Sequence, residues 1–237
     1  RGFGYNIRAP LDPKVPRHEA EIYLEVARTL GLNTDGCRTY IPVQQSAREL
    51  VRTLIHSYGI QEQGFIILNP AGGRNPGMVL DSKRYPPASL AALGARLAQH
   101  TGTTLVIIGG PGDEDVCVQV WKELRAHIAL EARVHKFVDK FSFAEIAALA
   151  SLAHLYIGND TGLTHLAAAA GTKTVMILGP TDPLRYAPYA DDALALWKPT
   201  VVNRLGVAGG NLEWDWARDG ISIDDAERQI VEFMGKP

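Results

Sequence analysis

The stretch HLYIGNDTGLTHLAAAAGTKTVMILGPTDP, residues 154–183, decides the fold. It opens with an apolar run, HLYIG (154–158), and passes through a polar turn into a helical pattern over 162–170 that Gly171 stops. A second apolar run, TVMIL (174–178), follows at once. Short apolar runs bounded by glycine read as strands buried on both faces, the mark of a parallel sheet. A helix between two such strands makes a right-handed βαβ crossover.

The same rhythm extends upstream. FIILN (65–69) leads through a Gly/Pro loop to a helical pattern from Pro87 to His100. LVIIG (105–109) leads through GPGDED to a second helix ending near His127, and RVHKFV (133–138) precedes a helix over 142–152. Strand and helix alternating in this way predict an α/β fold, a doubly wound parallel sheet with helices on both sides. The first sixty residues break the rhythm. RAPLDPKVP (8–16) is a Pro-rich extended segment, and a helix from Arg17 to Gly31 carries Ala20, Tyr23, Ala27 and Leu30 at helical spacing. A second helix over Ser46–Tyr58 leads into the sheet. At the far end Ser222 and Asp225 form a capping-box pattern, and the helix beyond carries Ile223, Ala226, Ile230 and Phe233 on one face.

Composition excludes several classes. The chain has 237 residues, 46% hydrophobic and 21% charged, so it is neither disordered nor fibrous. Its net charge of −2 offers no basic excess for a nucleic-acid backbone, so no nucleic-acid partner is expected. No apolar run approaches the roughly 18 residues of a membrane span, so no transmembrane segment is expected. Cys37 and Cys117 lie far apart and form no CxxC pair, which fits a reducing cytosol and gives no zinc site. The chain opens at Arg1 with neither a methionine nor a signal-peptide pattern, which reads as a fragment or a processed form.

In an open parallel sheet, ligands bind beyond the carboxyl ends of the strands. Glycine clusters sit at three of those ends: NPAGGRNPG (69–77), GGPGDED (109–115) and GNDTGLTH (158–165). Together they predict a shared anion or nucleotide site rather than three unrelated turns. In the last, Asp160 or Thr161 can cap the helix beginning at Gly162, whose free N–H groups attract phosphate, and His165 points back toward that helix end. Ala167–Ala170 reads as packing against the sheet. Arg74, Lys83 and Arg84 flank the first loop, placed to neutralise a diphosphate, although each alone reads as a surface charge; Lys83 is the favoured one. Glu114 can accept hydrogen bonds from a ribose, or serve only as a first-turn charge on a helix dipole.

Other motifs fail. Gly72 to Gly77 has P-loop spacing, but Met78 and Val79 stand where Lys and Ser/Thr are required. Gly110-Pro111-Gly112 lacks the third glycine of a dinucleotide fingerprint, no GxSxG elbow occurs, and no HxxxH pair suggests a metal. Trp214-Asp215-Trp216 reads as a partly buried loop anchor rather than a sugar-stacking platform.

The order N-P-x-G-G, K-R-Y-P, GGPGDE, then D160-T-G-x-x-H165 and G179-P-T-D-P183 resembles the C-terminal half of the bacterial heptosyltransferases of glycosyltransferase family 9. The resemblance runs from about Phe65 to Pro188. It implies the Rossmann-like C-terminal half of a GT-B type enzyme of lipopolysaccharide biosynthesis, with residues 1–37 ending an N-terminal acceptor domain and 38–237 forming the donor-binding domain. It further implies that Lys83 meets the donor phosphates, Glu114 the ribose, and Phe141 the adenine. Gly73 and Arg74 would belong to the donor loop, and Asp160, Thr161, Gly162 and His165 would grip the diphosphate and the transferred sugar. By the same resemblance the enzyme inverts the anomeric centre. Its base lies in the N-terminal domain, so no catalytic base and no metal ligand is expected in this chain. The implied donor is the nucleotide sugar ADP-heptose, a substrate, with no cofactor. The implied acceptor is a glycolipid, which places the protein in the cytoplasm or at the cytoplasmic face of the inner membrane.

Two departures stand out. Ala71-Gly72-Gly73-Arg74 occupies a place where the family usually has hydroxylated residues, and the loop on to Lys83 is longer than its common form. ADP-heptose is thus the family's donor rather than one these residues specify. A transferase using another nucleotide sugar, a similarly built epimerase, and a non-catalytic nucleotide-binding module are the alternatives.

Overall fold

A computed structural model describes residues 6–12, 14–72, 74, 75, 78–127, 133–199 and 214–235, with the backbone alone at 74, 75, 78 and 79. The elements run α1 (Glu19–Thr29), α2 (Gln45–Ser57), β1 (Phe65–Asn69), β2 (Arg74–Asn75), β3 (Met78–Val79), a 3-10 turn (Asp81–Lys83), α3 (Pro87–Thr101), β4 (Thr104–Gly109) and α4 (Glu114–His127). They continue with β5 (Val134–Val138), α5 (Phe143–Leu152), β6 (Leu155–Asn159), α6 (Gly162–Ala169), β7 (Thr174–Ile177), α7 (Pro183–Tyr186), β8 (Ala193–Leu196), α8 (Trp216–Asp219) and α9 (Ile223–Met234).

Six strands form one parallel sheet in the order β5-β4-β1-β6-β7-β8. Counting only these six in chain order, the arrangement is 3-2-1-4-5-6, the doubly wound, Rossmann-like order. β1 sits centrally, with Leu68 beside Ile107 of β4 on one side and Ile157 of β6 on the other. β2 and β3 form a separate antiparallel hairpin in the long loop after β1.

The period-2 alternation of β1 feeds two cores. Ile66 and Leu68 join Leu105, Ile107, Leu155 and Ile157 under α3, α4 and α9, while Phe65 and Ile67 join Val106, Ile108 and Tyr156 under α2, α5 and α6. Both faces are apolar because helices cover both, so the strands read as unbroken apolar runs. Each fully buried Leu, Ile or Phe stabilises the fold by about 1.5–3 kcal/mol. Ala167 and Ala168 are buried where α6 meets the sheet, and Ala226 and Ile230 anchor α9, as their spacing predicts.

Several local readings change. The apolar spacing of α1 does not make a buried face: none of its residues is buried, and Tyr23 is 74% exposed. Polar contacts hold the helix instead. His18 Nε2 lies 2.8 Å from Ala187 O, Glu19 pairs with Arg185, and Tyr189 hydroxyl donates to Glu21. Strand β8 escapes a sequence reading because ALAL is short, poor in β-branched residues and only partly buried at the sheet edge. At α9, Ser222 caps Asp225 N at 3.1 Å, but the Asp225 carboxylate accepts from the Ser222 hydroxyl rather than its backbone. The reciprocal capping box lies instead at Ser142 and Glu145, opening α5.

Candidate functional site

Strand order reverses between β1 and β6, and each of these strands ends in a buried asparagine. Asn69 Nδ2 donates to Tyr156 hydroxyl at 2.8 Å, and its Oδ1 accepts from Ala71 N at 3.1 Å. Asn159 Oδ1 accepts from Tyr85 N at 2.9 Å, while its Nδ2 donates to Pro70 O at 2.9 Å and Ala71 O at 3.0 Å. A buried amide with every group satisfied fixes the backbone it touches. These two therefore set the path of the loop after β1 and the entry to α3. Tyr85 is itself buried, and that burial pushes its phenol up to about 12, so it stays neutral. The signal was present in the sequence: FIILN and LYIGN, two apolar runs, close on the same buried polar residue.

Against this frame sits the N-terminus of α6. Thr161 is the N-cap, its Oγ1 accepting from Thr164 N at 3.4 Å, and Thr164 Oγ1 donates to Asn159 O at 2.7 Å. Gly72, at φ +143°, packs on this cap so closely that a Cβ there would stand 2.9 Å from Thr161 Cγ2. The first N–H groups of a helix lack intrahelical partners and carry its positive dipole end.

The loops after β1, β4 and β6 meet around a cleft of about 360 Å³. Its walls include Asn69, Ala71 and Gly72 from the first loop, Leu80 and Lys83 from the segment beyond the hairpin, Pro111 and Asp113 from the second, Phe143 from α5, and Asp160, Thr161, Gly162 and Leu163 from the third. The three glycine-rich strand ends thus share one cleft at the switch point of the sheet, where ligands of such folds bind.

Lys83 Nζ lies 2.7 Å from Asp160 Oδ2, the side chains 15% and 10% exposed, and 5.8 Å from the Tyr186 ring centroid. Thr161 and Gly162 line the same wall. His165 sits one turn into α6, half-buried, and is not among the residues that line the cleft. Burial holds its imidazole below the usual histidine range, with His18 adding to the lowering and Asp160 opposing it.

Other expected site residues lie elsewhere. Glu114, 57% exposed, pairs with Lys136 and does not line the cleft; its neighbour Asp113 does. Phe141 is partly buried, packed edge-on against Phe137 with centroids 5.6 Å apart, beside the core that α2, α5 and α6 cover. Among the described residues that line the cleft, the aromatic one is Phe143. Arg84 is turned inward, its Nε donating to Gly72 O at 2.7 Å. Gly73 and the Arg74 side chain lie outside the described residues. Trp216 is an anchor, as its setting in the sequence suggests, packed edge-on at 5.2 Å against Tyr85. Among the described residues, no group of three or more His, Cys, Asp or Glu gathers as metal ligands, and no helix is long and apolar enough to cross a membrane.

Comparison with known proteins bears on this architecture. The family model described as glycosyltransferase family 9 (heptosyltransferase) matches residues 6–204. Lipopolysaccharide heptosyltransferase 3 of Escherichia coli is 26% identical over 178 residues, 75% of this chain and 49% of that protein. A glycosyltransferase family 9 structure from Veillonella parvula superimposes with a TM-score of 0.75 at 23% identity, over 94% of this chain and 61% of its own. An E. coli heptosyltransferase solved with ADP gives a TM-score of 0.62 at 17% identity, over 94% and 59%. The chain therefore spans about half the length of the curated relatives it matches.

Proposed function

The chain belongs to glycosyltransferase family 9, and from that membership we propose that its cleft holds the nucleotide-sugar donor of a heptosyltransferase, ADP-heptose being the family's donor. The observation that carries the reading is the cleft itself: a switch-point site where Lys83, Asp160 and the first turn of α6 converge. The resemblance to a relative named as a lipopolysaccharide heptosyltransferase supports a glycolipid acceptor of the lipopolysaccharide core. Such an acceptor would be met at the cytoplasmic face of the inner membrane. Residues 1–37 are read as the end of the acceptor half and 38–237 as the donor half. The polar, unburied packing of α1 supports that division.

The mechanism follows from charge. An acceptor hydroxyl, deprotonated by a base outside this chain, attacks the anomeric carbon with inversion as the nucleoside diphosphate leaves. Negative charge grows on that diphosphate, and the α6 N-terminus together with Lys83 meets it. Lys83 is already held by Asp160, so the diphosphate competes with a carboxylate for it. Asp160, released, can accept hydrogen bonds from sugar hydroxyls. The neutral form favoured at His165 leaves one ring nitrogen free to accept and the other to donate. The donor is the one non-protein component this reading calls for.

The test is a thermal-shift panel of the chain with ADP, UDP, GDP and CMP. A ligand at a hundred times its dissociation constant adds about 2.7 kcal/mol, a shift of roughly 5–11 °C for a chain of this size. A shift with ADP alone supports the ADP-sugar reading. A shift with another nucleotide replaces the donor, and no shift with any of them removes the donor site from this chain.

A further inference from the structure

We propose that Phe143 is the stacking platform of the cleft, the surface on which the nucleobase of the donor lies. This rests on the donor-site reading above and adds to it the residue that binds the base.

Two phenylalanines flank the start of α5, and the fold treats them oppositely. Phe141 is partly buried, packed on Phe137 at the edge of the core that α2, α5 and α6 cover. Phe143, two residues on, is 74% exposed and lines the cleft. The buried face of α5 is formed by Ile146, Ala147, Leu149 and their neighbours and does not include it. Nor does its exposure come from a loose helix end. Ser142 and Glu145 close a reciprocal capping box around the first turn, so the backbone carrying Phe143 is held from both sides. The result is a large apolar ring, carried on a capped backbone and open to solvent, on the wall of a site.

The cleft is also polarised along the sheet. Lys83, Asp160 and the α6 N-terminus gather at the β1/β6 side, whereas Pro111 and Phe143 come from the segments beyond β4 and β5. In the order β5-β4-β1-β6 the two groups are separated by one to three strand spacings, roughly 5–15 Å. A nucleoside diphosphate is polarised in the same sense, with an aromatic face at one end and anionic oxygens at the other. With the diphosphate at α6, its base falls toward β4 and β5, where Phe143 offers a π-face and Pro111 a second apolar surface. Aromatic stacking suits any nucleobase, so Phe143 sets affinity for the base while identity is read by its edge.

The experiment measures ADP affinity by calorimetry, or affinity for whichever nucleotide the panel selects, for the chain and for F143A, F143L and F143W. Stacking predicts a loss of about 5- to 150-fold in F143A. F143L, which keeps apolar volume without a π-face, should lose as much. F143W should retain affinity, and its added indole emission should be quenched by the nucleotide. Melting temperatures without ligand should not move, because the ring is exposed. Unchanged affinity in F143A, or full rescue by leucine, overturns the proposal while leaving the donor site standing. A wild-type chain that binds none of the four nucleotides overturns both.

Discussion

Lys83 and Asp160 are 77 residues apart in the chain and 2.7 Å apart in space, Nζ to Oδ2, facing each other across the switch point of the sheet. The contact joins the segment after the β2–β3 hairpin to the mouth of α6, and both side chains are largely withdrawn from water. Each residue reads from the sequence as a ligand contact. The structure shows that each is also the other's partner.

That pairing couples stability to binding. Lys83→Met or Asp160→Asn alone leaves a poorly solvated charge uncompensated, which costs up to about 3–5 kcal/mol. The double variant should lose less than the sum of the singles by about 0.5–3 kcal/mol, read from urea midpoints. Strict additivity would mean the two groups do not interact in solution. Binding should separate the singles further. Lys83→Met should weaken ADP, whereas Asp160→Asn should tighten it several-fold by removing the carboxylate that competes with the diphosphate.

The contact between Gly72 and Thr161 offers a steric test. A methyl group at Gly72 would stand 2.9 Å from Thr161 Cγ2 on a backbone at φ +143°. Gly72→Ala should therefore cost about 1–3 kcal/mol. Adding Thr161→Ser removes the opposing methyl and keeps the capping hydroxyl, so it should return part of the loss. If the second change recovers nothing, the cap and the first loop are not pressed together as the structure places them.

His165 gives a pH signature. Its folded pKa is depressed, first by burial, so between the unfolded value of about 6.5 and the folded value the unfolded chain binds a proton that the folded chain refuses. Stability is then complete above that window and falls as pH drops through it, by at most about 1.4 kcal/mol per pH unit. His165→Gln should flatten this slope. Glu21, Glu62 and Glu145 have depressed pKa values, held by Tyr189, Arg52 and Ser142 respectively, and their contributions are lost only in a more acidic window. A slope near pH 6 that survives in His165→Gln would assign it to another group.

The recurrence of a short apolar run, glycine and amphipathic stretch was enough to locate five of the six sheet strands and the helices between them. Those signals are local: burial on both faces shows as an unbroken apolar run, and helix termination as a glycine. The meeting of three glycine-rich loops was legible for the same reason, since each follows a strand and all strands point one way. The buried asparagines were equally available, written as the last residue of FIILN and LYIGN.

Periodicity and turn chemistry act over a few residues, so the sheet, its helices and the end of the sheet where a ligand would lie are written locally in the chain. Which side chains face that place is set by long-range packing. That packing set Phe141 on Phe137 and Phe143 on the cleft, tied Glu114 to Lys136, and drew Lys83 to Asp160. Each of those outcomes depends on which distant charge or apolar surface the fold brings within a few ångströms, and no spacing along the chain carries that distance.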